Sequence, residues 1–235
     1  MRLVLTRPQE DSERSALALR AQGHDALVAP LMRVETIDAE LRPHWGAIIV
    51  TSANAAAAIA AHPVRAQLVA LPVYAVGRRS ADAARAVGFA DVTTAGGDLR
   101  DLLRIVSARR PDAAAPLLYL AGEDRSGDLI GDLAVHGIAA ELAVVYRAVT
   151  APFPPHLVAA LREGSIDGVL HFSKRSADNY LAGAQNAGIA AEALGVRHYC
   201  LSSQIAAPLK AAGARDIIIA KRPDEAALLA LIAPL

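Results

Sequence analysis

The chain has 235 residues, a formal net charge of zero, 54% hydrophobic residues and only 4% aromatic ones. That length suits two modest domains better than one small sheet, and a core of Ala, Val, Leu and Ile must pack through many small contacts. Zero net charge removes the general electrostatic case for nonspecific nucleic-acid or anionic-membrane binding, and a lone cysteine, Cys200, excludes an intrachain disulfide framework and points to a reducing compartment.

In chain order, Leu3 to Leu5 reads as a strand ended by Thr6-Arg7-Pro8, too short an apolar run for a signal-peptide core. Glu10-Asp11-Ser12-Glu13 supplies the acidic first turn of a helix that runs to about Gln22 and stops at Gly23. Ala26 to Ala29 is a strand, Pro30 to Thr36 is extended, and Ile37 to His44 is a short helix or loop. Ile48-Ile49-Val50 has the continuous apolar character of a strand buried on both faces, and an Ala-rich helix starts at Ser52 or Ala53. The uncharged stretch Gly46 to Val64 carries Thr51, Ser52, Asn54, His62 and Pro63 and does not read as a membrane span. Then come strand Val73 to Val76, helix Ser80 to Val87, a brief strand around Asp91-Val92-Thr93 and helix Asp98 to Ala108. After a polar break at Arg109-Arg110-Pro111-Asp112 follow strand Leu117 to Leu120, helix Ser126 to Val135 and strand Ala140 to Val145. Thr150 to Pro155 is an extended connector, because neither Pro152 nor Pro154-Pro155 suits a helix interior. The alternation then resumes through strands at His198 to Leu201 and Asp216 to Ala220, and a last helix at Asp224 to Ile232.

The chain repeats itself. Trp45 to Gly88 is answered by Ile166 to Gly213, each with a strand, a closing Ser, a helix, a second strand, an Ala-rich helix and a Gly stop. Arg2 to Val34 is likewise answered by Leu117 to Val149, which makes a three-unit half present twice. Alternating strands and helices predict an α/β fold with two parallel, doubly wound sheets. Ligands of such sheets bind beyond the carboxyl ends of the strands, where this chain places Thr6-Arg7, Thr51-Ser52, Gly77 to Ser80, Gly122 to Ser126, Ser173 to Ser176 and Lys221-Arg222. Basic and hydroxyl side chains beside helix N-termini favour an anionic ligand; taken singly, the same residues serve as caps and solvated loop charges.

Strong chemical motifs are absent: there is no GxGxxG, GxxxxGK[ST] or HExxH, and no Cys or His pair at metal spacing. His171 reads as a satisfied strand histidine rather than a base, and Glu123 and Asp124 as helix caps rather than acids. Tyr146 is a polar-tipped aromatic in a chain with few, equally suited to a half-buried core or to a functional place.

These residues together carry a resemblance. Thr6-Arg7-Pro8, Gly23 before Pro30-Leu31, Val50-Thr51-Ser52, Val76-Gly77 with Ser80-Ala81, Gly122 with Arg125, Val145-Tyr146-Arg147, Phe172-Ser173, and Ala212-Gly213 before Pro223 resemble, in order and spacing, the uroporphyrinogen-III synthases over nearly the full length. The resemblance implies two lobes formed by exchange, 1–33 with 150–235 and 37–145, joined by extended segments 34–36 and 146–149. It implies a cofactor-free, metal-free lyase that closes hydroxymethylbilane, a linear polycarboxylate, with loss of water and inversion of the terminal ring. Tyr146 becomes the candidate acid, and Arg7, Thr51, Ser52, Gly77, Ser80, Gly122, Arg125, Ser173, Lys174 and Ser203 the candidate substrate-binding positions. A cytoplasmic monomer supplied by the upstream bilane-forming enzyme, with no nucleic-acid or membrane partner, is expected. Two places depart from the family pattern: Ser202 and Ile205 stand where the family has glycine and threonine, and Asn54 where some members carry a basic residue. The alternatives are a noncatalytic two-lobed protein that binds an anionic ligand, or an isomerase of phosphorylated sugars.

Overall fold

The structure, a computed structural model, describes residues 1–42, 44–97, 99–108, 115–125 and 127–232, with Leu99 described by its backbone alone. The expected helix starts at Asp98 and Ser126 and the break at Arg109-Arg110-Pro111-Asp112 lie outside the described residues. The chain divides into two compact units, Met1–Arg33 with Val149–Leu235, and Val34–Ala148.

The first unit begins with β1 (Arg2–Leu5), α1 (Gln9–Ala21) and β2 (Asp25–Val28), and β3 (Met32–Thr36) carries the chain into the second. There follow β4 (Ala47–Val50), α2 (Ala53–Ala58), α3 (Arg65–Leu68), β5 (Val73–Ala75), α4 (Arg78–Val87), β6 (Val92–Thr94), α5 (Leu99–Ala108), β7 (Leu117–Gly122), α6 (Leu129–Val135) and β8 (Ala140–Thr150). Back in the first unit are α7 (Pro155–Arg162), β9 (Gly168–His171), α8 (Lys174–Asn186), α9 (Ala190–Gly195), β10 (Arg197–Cys200), α10 (Ser203–Ala211), β11 (Ile217–Ile219) and α11 (Glu225–Leu229).

One sheet runs β2-β1-β9-β10-β11, every pair parallel. The other runs β3-β8-β7-β4-β5-β6 and is parallel from β8 to β6. Set side by side, β8-β7-β4-β5-β6 and β2-β1-β9-β10-β11 have the same order, with β4 answering β9 and β7 answering β1, so the repeat in the sequence is a repeat in the topology. The central strands alternate between two covered faces, as period-2 side chains require. Ile48, Val50, Leu118 and Leu120 meet α2 and α4 on one side, while Ala47, Ile49, Leu117 and Tyr119 meet α5 and α6 on the other. In the first unit Val4, Val169 and Cys200 face one way and Leu3, Leu5, Leu170 and Tyr199 the other. Ala55, Ala56, Ala81 and Ala84 are fully buried, which lets α2 and α4 approach closely without large rings. The glycine stops are matched too: Gly88 and Gly213 end α4 and α10 at φ +112° and +102°, values that only glycine adopts without strain.

Several boundaries differ from expectation. The Ala-rich helix after Ser52 ends at Ala58 and the chain re-forms only the short α3, because Pro63 lacks the N–H and the clearance that a continuing helix needs. α4 starts at Arg78 rather than Ser80, and α6 at Leu129, where the Asp128 carboxylate accepts from the Gly131 N–H at 3.0 Å and sets the start. β8 does not stop at Val145 but continues to Thr150 as one strand. Residues 37–42 form no regular element, and Pro155, expected in the connector, is the first residue of α7, where its missing N–H costs nothing. No helix among the described residues is long and apolar enough to cross a membrane.

Candidate functional site

Because β4, β5, β7 and β8 are parallel, their carboxyl ends share one edge of the second unit, and most of its candidate residues fall there. Ser52, extended at φ −137°, caps α2 by accepting from the Asn54 N–H at 3.2 Å. Gly77 caps α4 at φ −139°, followed by the exposed Arg78 and Arg79 and by Ser80, which is buried. Gly122 ends β7, and its neighbour on β8 is Tyr146.

Tyr146 is aimed by a bulge. Leu120 faces Ala143 and Ala121 faces Val144, but Gly122 faces Tyr146, so β8 carries one extra residue. The consecutive residues Val145 and Tyr146 therefore both pack against the core beside α2 and α4, whereas an unbroken strand sends neighbours to opposite faces. The Tyr146 hydroxyl donates to Ser52 Oγ at 3.1 Å, and its carbonyl accepts from the Glu123 N–H at 2.9 Å. The ring occupies the space that a Gly122 side chain would fill, since a Cβ there would lie 2.5 Å from the phenol Cζ and 2.8 Å from its oxygen. The Thr51 and Tyr119 hydroxyls lie 3.0 Å apart in a hydrogen bond, with Tyr119 packed on the other face of the sheet. Arg125 donates to the carbonyls of Gly122 and Glu123 at 3.0 and 3.1 Å, closing the loop while its side chain stays exposed. The structure thus brings Ser52, Gly122, Tyr146 and Arg125 into one contact chain, with Thr51 adjoining it.

In the first unit, Ser173 caps α8 by accepting from the Ser176 N–H at 3.1 Å, and its hydroxyl is 2.9 Å from that of Ser176. Lys174 donates to Asp178 at 2.8 Å on the exposed face of α8. Ser203 opens α10, exposed, after Ser202, while Ile205 is inward in the core. Arg7 is not the open cation that the sequence suggests: it bonds Glu225 at 2.9 Å, approaches Asp11 at 3.7 Å and stacks 4.3 Å from the Phe172 ring centre. Burial pushes the Glu225 carboxyl up, but its bonds from Ser15 and Arg7 outweigh that and hold it below the ordinary value.

His171 is a strand histidine, as read, and fully buried; its Nε2 lies 3.0 Å from Nδ1 of the equally buried His198. Desolvation and then His198 push His171 well down, and desolvation lowers His198 to about 4, so both rings are neutral near pH 7. Burial lifts the Cys200 thiol to about 12. Among the described residues no three His, Cys, Asp or Glu side chains group as metal ligands.

Sequence reasoning missed Tyr119 and Glu225. Tyr119 left a signal, since a buried phenol in the apolar run Leu117 to Ala121 needs a partner for its hydroxyl. Glu225 left none, because 218 positions separate it from Arg7.

The family model described as uroporphyrinogen-III synthase HemD matches residues 13–230. Among solved structures, a uroporphyrinogen-III synthetase from Helicobacter pylori superposes with a TM-score of 0.64 at 22% identity, covering 98% of both chains. The wild-type uroporphyrinogen III synthase of the extremely thermophilic bacterium Thermus thermophilus aligns at 15% identity and a TM-score of 0.45, covering 98% of this chain and 96% of that one. No curated protein matches.

Proposed function

The chain belongs to the uroporphyrinogen-III synthase family, cyclising lyases of tetrapyrrole biosynthesis, and we propose that it closes hydroxymethylbilane with Tyr146 as the acid that assists departure of the hydroxyl group. The observation that carries this reading is the Tyr146 phenol, turned by a bulge to the carboxyl edge of its sheet and held 3.1 Å from Ser52. The match gives no support to a noncatalytic binding protein or to a sugar-phosphate isomerase.

Pyrrole electrons expel the hydroxymethyl oxygen, so a weak acid at that oxygen suffices. The phenol proton leaves with it as water, and the C–O bonding pair goes with the oxygen. The resulting cationic carbon is attacked by the substituted carbon of the terminal ring, giving a spiro intermediate that reopens and recloses with that ring inverted. The proton shed as the terminal ring regains aromaticity restores the phenol. Unassisted closure gives the unrearranged isomer, so most of the protein's contribution is positioning the folded bilane and excluding the competing route.

Thr51, Gly77, Ser80 and Arg125 in one unit, and Ser173, Lys174 and Ser203 in the other, are the substrate-binding positions of this reading; Ser52 and Gly122 contact Tyr146, and Arg7 bonds Glu225. Its support is that each binding position lies beyond the carboxyl end of a strand, and all but Arg125 sit at helix starts whose N–H groups and partial positive charge suit carboxylates. The buried Ser80 contributes through backbone and shape rather than side-chain charge. The same reading makes the protein a cytoplasmic monomer that takes its bilane from the upstream bilane-forming enzyme.

Tyr146→Phe tests it. The expected result, with hydroxymethylbilane generated in the assay, is a kcat lower by about tenfold to a hundredfold and a KM close to wild type. Unchanged kcat would remove Tyr146 from the chemistry.

A further inference from the structure

We propose that Ser52 and Gly122 are positioning residues for Tyr146 rather than substrate contacts: Gly122 leaves the space in which the phenol sits, and Ser52 holds its oxygen before and after proton transfer. The proposal rests on Tyr146 being the acid.

A serine hydroxyl has two acceptor lone pairs and one hydrogen to donate. At Ser52 one lone pair takes the Asn54 N–H at 3.2 Å and the other the Tyr146 O–H at 3.1 Å, so the Ser52 hydrogen is left for another acceptor. When the phenol proton passes to the departing hydroxyl, the tyrosine oxygen becomes an anion in need of a donor. Ser52 supplies one by rotating its hydroxyl about the Cβ–Oγ bond, while the Asn54 amide keeps the oxygen in place. No heavy atom has to move, which is the property that makes a preorganised donor effective in a transition state. Gly122 fixes the other coordinate of the phenol. A methyl group there would overlap the ring at 2.5 Å from Cζ, so even alanine displaces the hydroxyl from Ser52.

The duplicated half gives an internal comparison. Ser173 answers Ser52 and also caps its helix, accepting from the Ser176 N–H three residues on at 3.1 Å, where Ser52 accepts from the N–H two residues on. The residue that answers Tyr146 is Met32, whose sulfur accepts from the Ser176 hydroxyl at 3.8 Å. A thioether has no proton to give. The cap is therefore common to both halves, and the bond to a tyrosine is an addition made in one of them. A serine serving only its helix, or only a ligand, has no need of that addition.

The test is steady-state kinetics of Ser52→Ala, Ser52→Thr and Gly122→Ala, with Ser52→Ala also placed in a Tyr146→Phe background and thermal melts to confirm folding. Ser52→Gly, which keeps an acceptable helix cap without a hydroxyl, serves as the second deletion if Ser52→Ala melts early. Losing one hydrogen bond to a charged oxygen predicts a kcat about tenfold lower, with KM within about twofold of wild type. Threonine should restore most of the rate, Gly122→Ala should lower kcat with KM retained, and the double variant should be no slower than Tyr146→Phe alone. A raised KM at unchanged kcat in Ser52→Ala or Gly122→Ala would make these residues substrate contacts and overturn the proposal. So would an equal slowing by Ser52→Ala with and without the phenol. If Tyr146→Phe itself turns over at the wild-type rate, the acid assignment has failed rather than the geometry around it, and the proposal falls with it.

Discussion

Acid should destabilise the first unit through the buried pair His171 and His198. Both rings are fully inaccessible and joined by one 3.0 Å hydrogen bond, and the outer nitrogen of His171, Nδ1, has no hydrogen-bond partner among the described residues. Desolvation lowers His198 from its ordinary 6.5 to about 4 in the folded chain, and His171 shifts in the same direction. Between those values the unfolded chain holds the proton that the folded one refuses, so stability is fully present above 6.5 and falls as pH drops towards 4. For His198 alone, moving from pH 7.5 to pH 5 removes about 2 kcal/mol. The assay is urea unfolding at the two pH values, in wild type and in a His171→Phe/His198→Leu double variant that cannot take up either proton. The carboxylates titrate alike in both proteins, so the difference between their pH dependences isolates the pair. Wild type should lose at least about 2 kcal/mol more than the variant, His171 adding to what His198 alone supplies. Equal losses would refute the reasoning and mean that the pair accepts a proton in place.

Arg125→Ala and Thr51→Val should each raise KM several-fold while leaving the melting temperature within a few degrees, because neither side chain is part of the buried core; unchanged KM in both would remove this loop edge from substrate binding. Arg7→Ala should cost about 1–2 kcal/mol of folding stability, since it leaves the Glu225 carboxylate and the Phe172 face without their partner. A denaturant melt measures it, and an unchanged midpoint with a large rise in KM would show that Arg7 serves the ligand instead.

How far the sequence alone led depended on the range of each interaction. Strands such as Ala47–Val50 announce burial on both faces by composition, and Ser52, Ser173, Gly88 and Gly213 mark helix ends through local backbone chemistry, so the alternating α/β fold and its repeat were legible. The register shift beside Gly122 was not legible, because it arises from pairing between β7 and β8 and not from either segment alone. The same holds for Arg7: its charge is visible in the chain, but its neutralisation by Glu225 depends on the fold. Local rules thus located the strand ends where candidate residues collect, while the structure was needed to show Tyr146 turned in beside α2 by a bulge and Arg7 paired with Glu225.

The most direct measurement is to generate hydroxymethylbilane with the upstream enzyme, add this protein, oxidise the products and separate the uroporphyrin isomers. Isomer III should dominate. Isomer I alone, from protein shown to be folded, would contradict the proposed function.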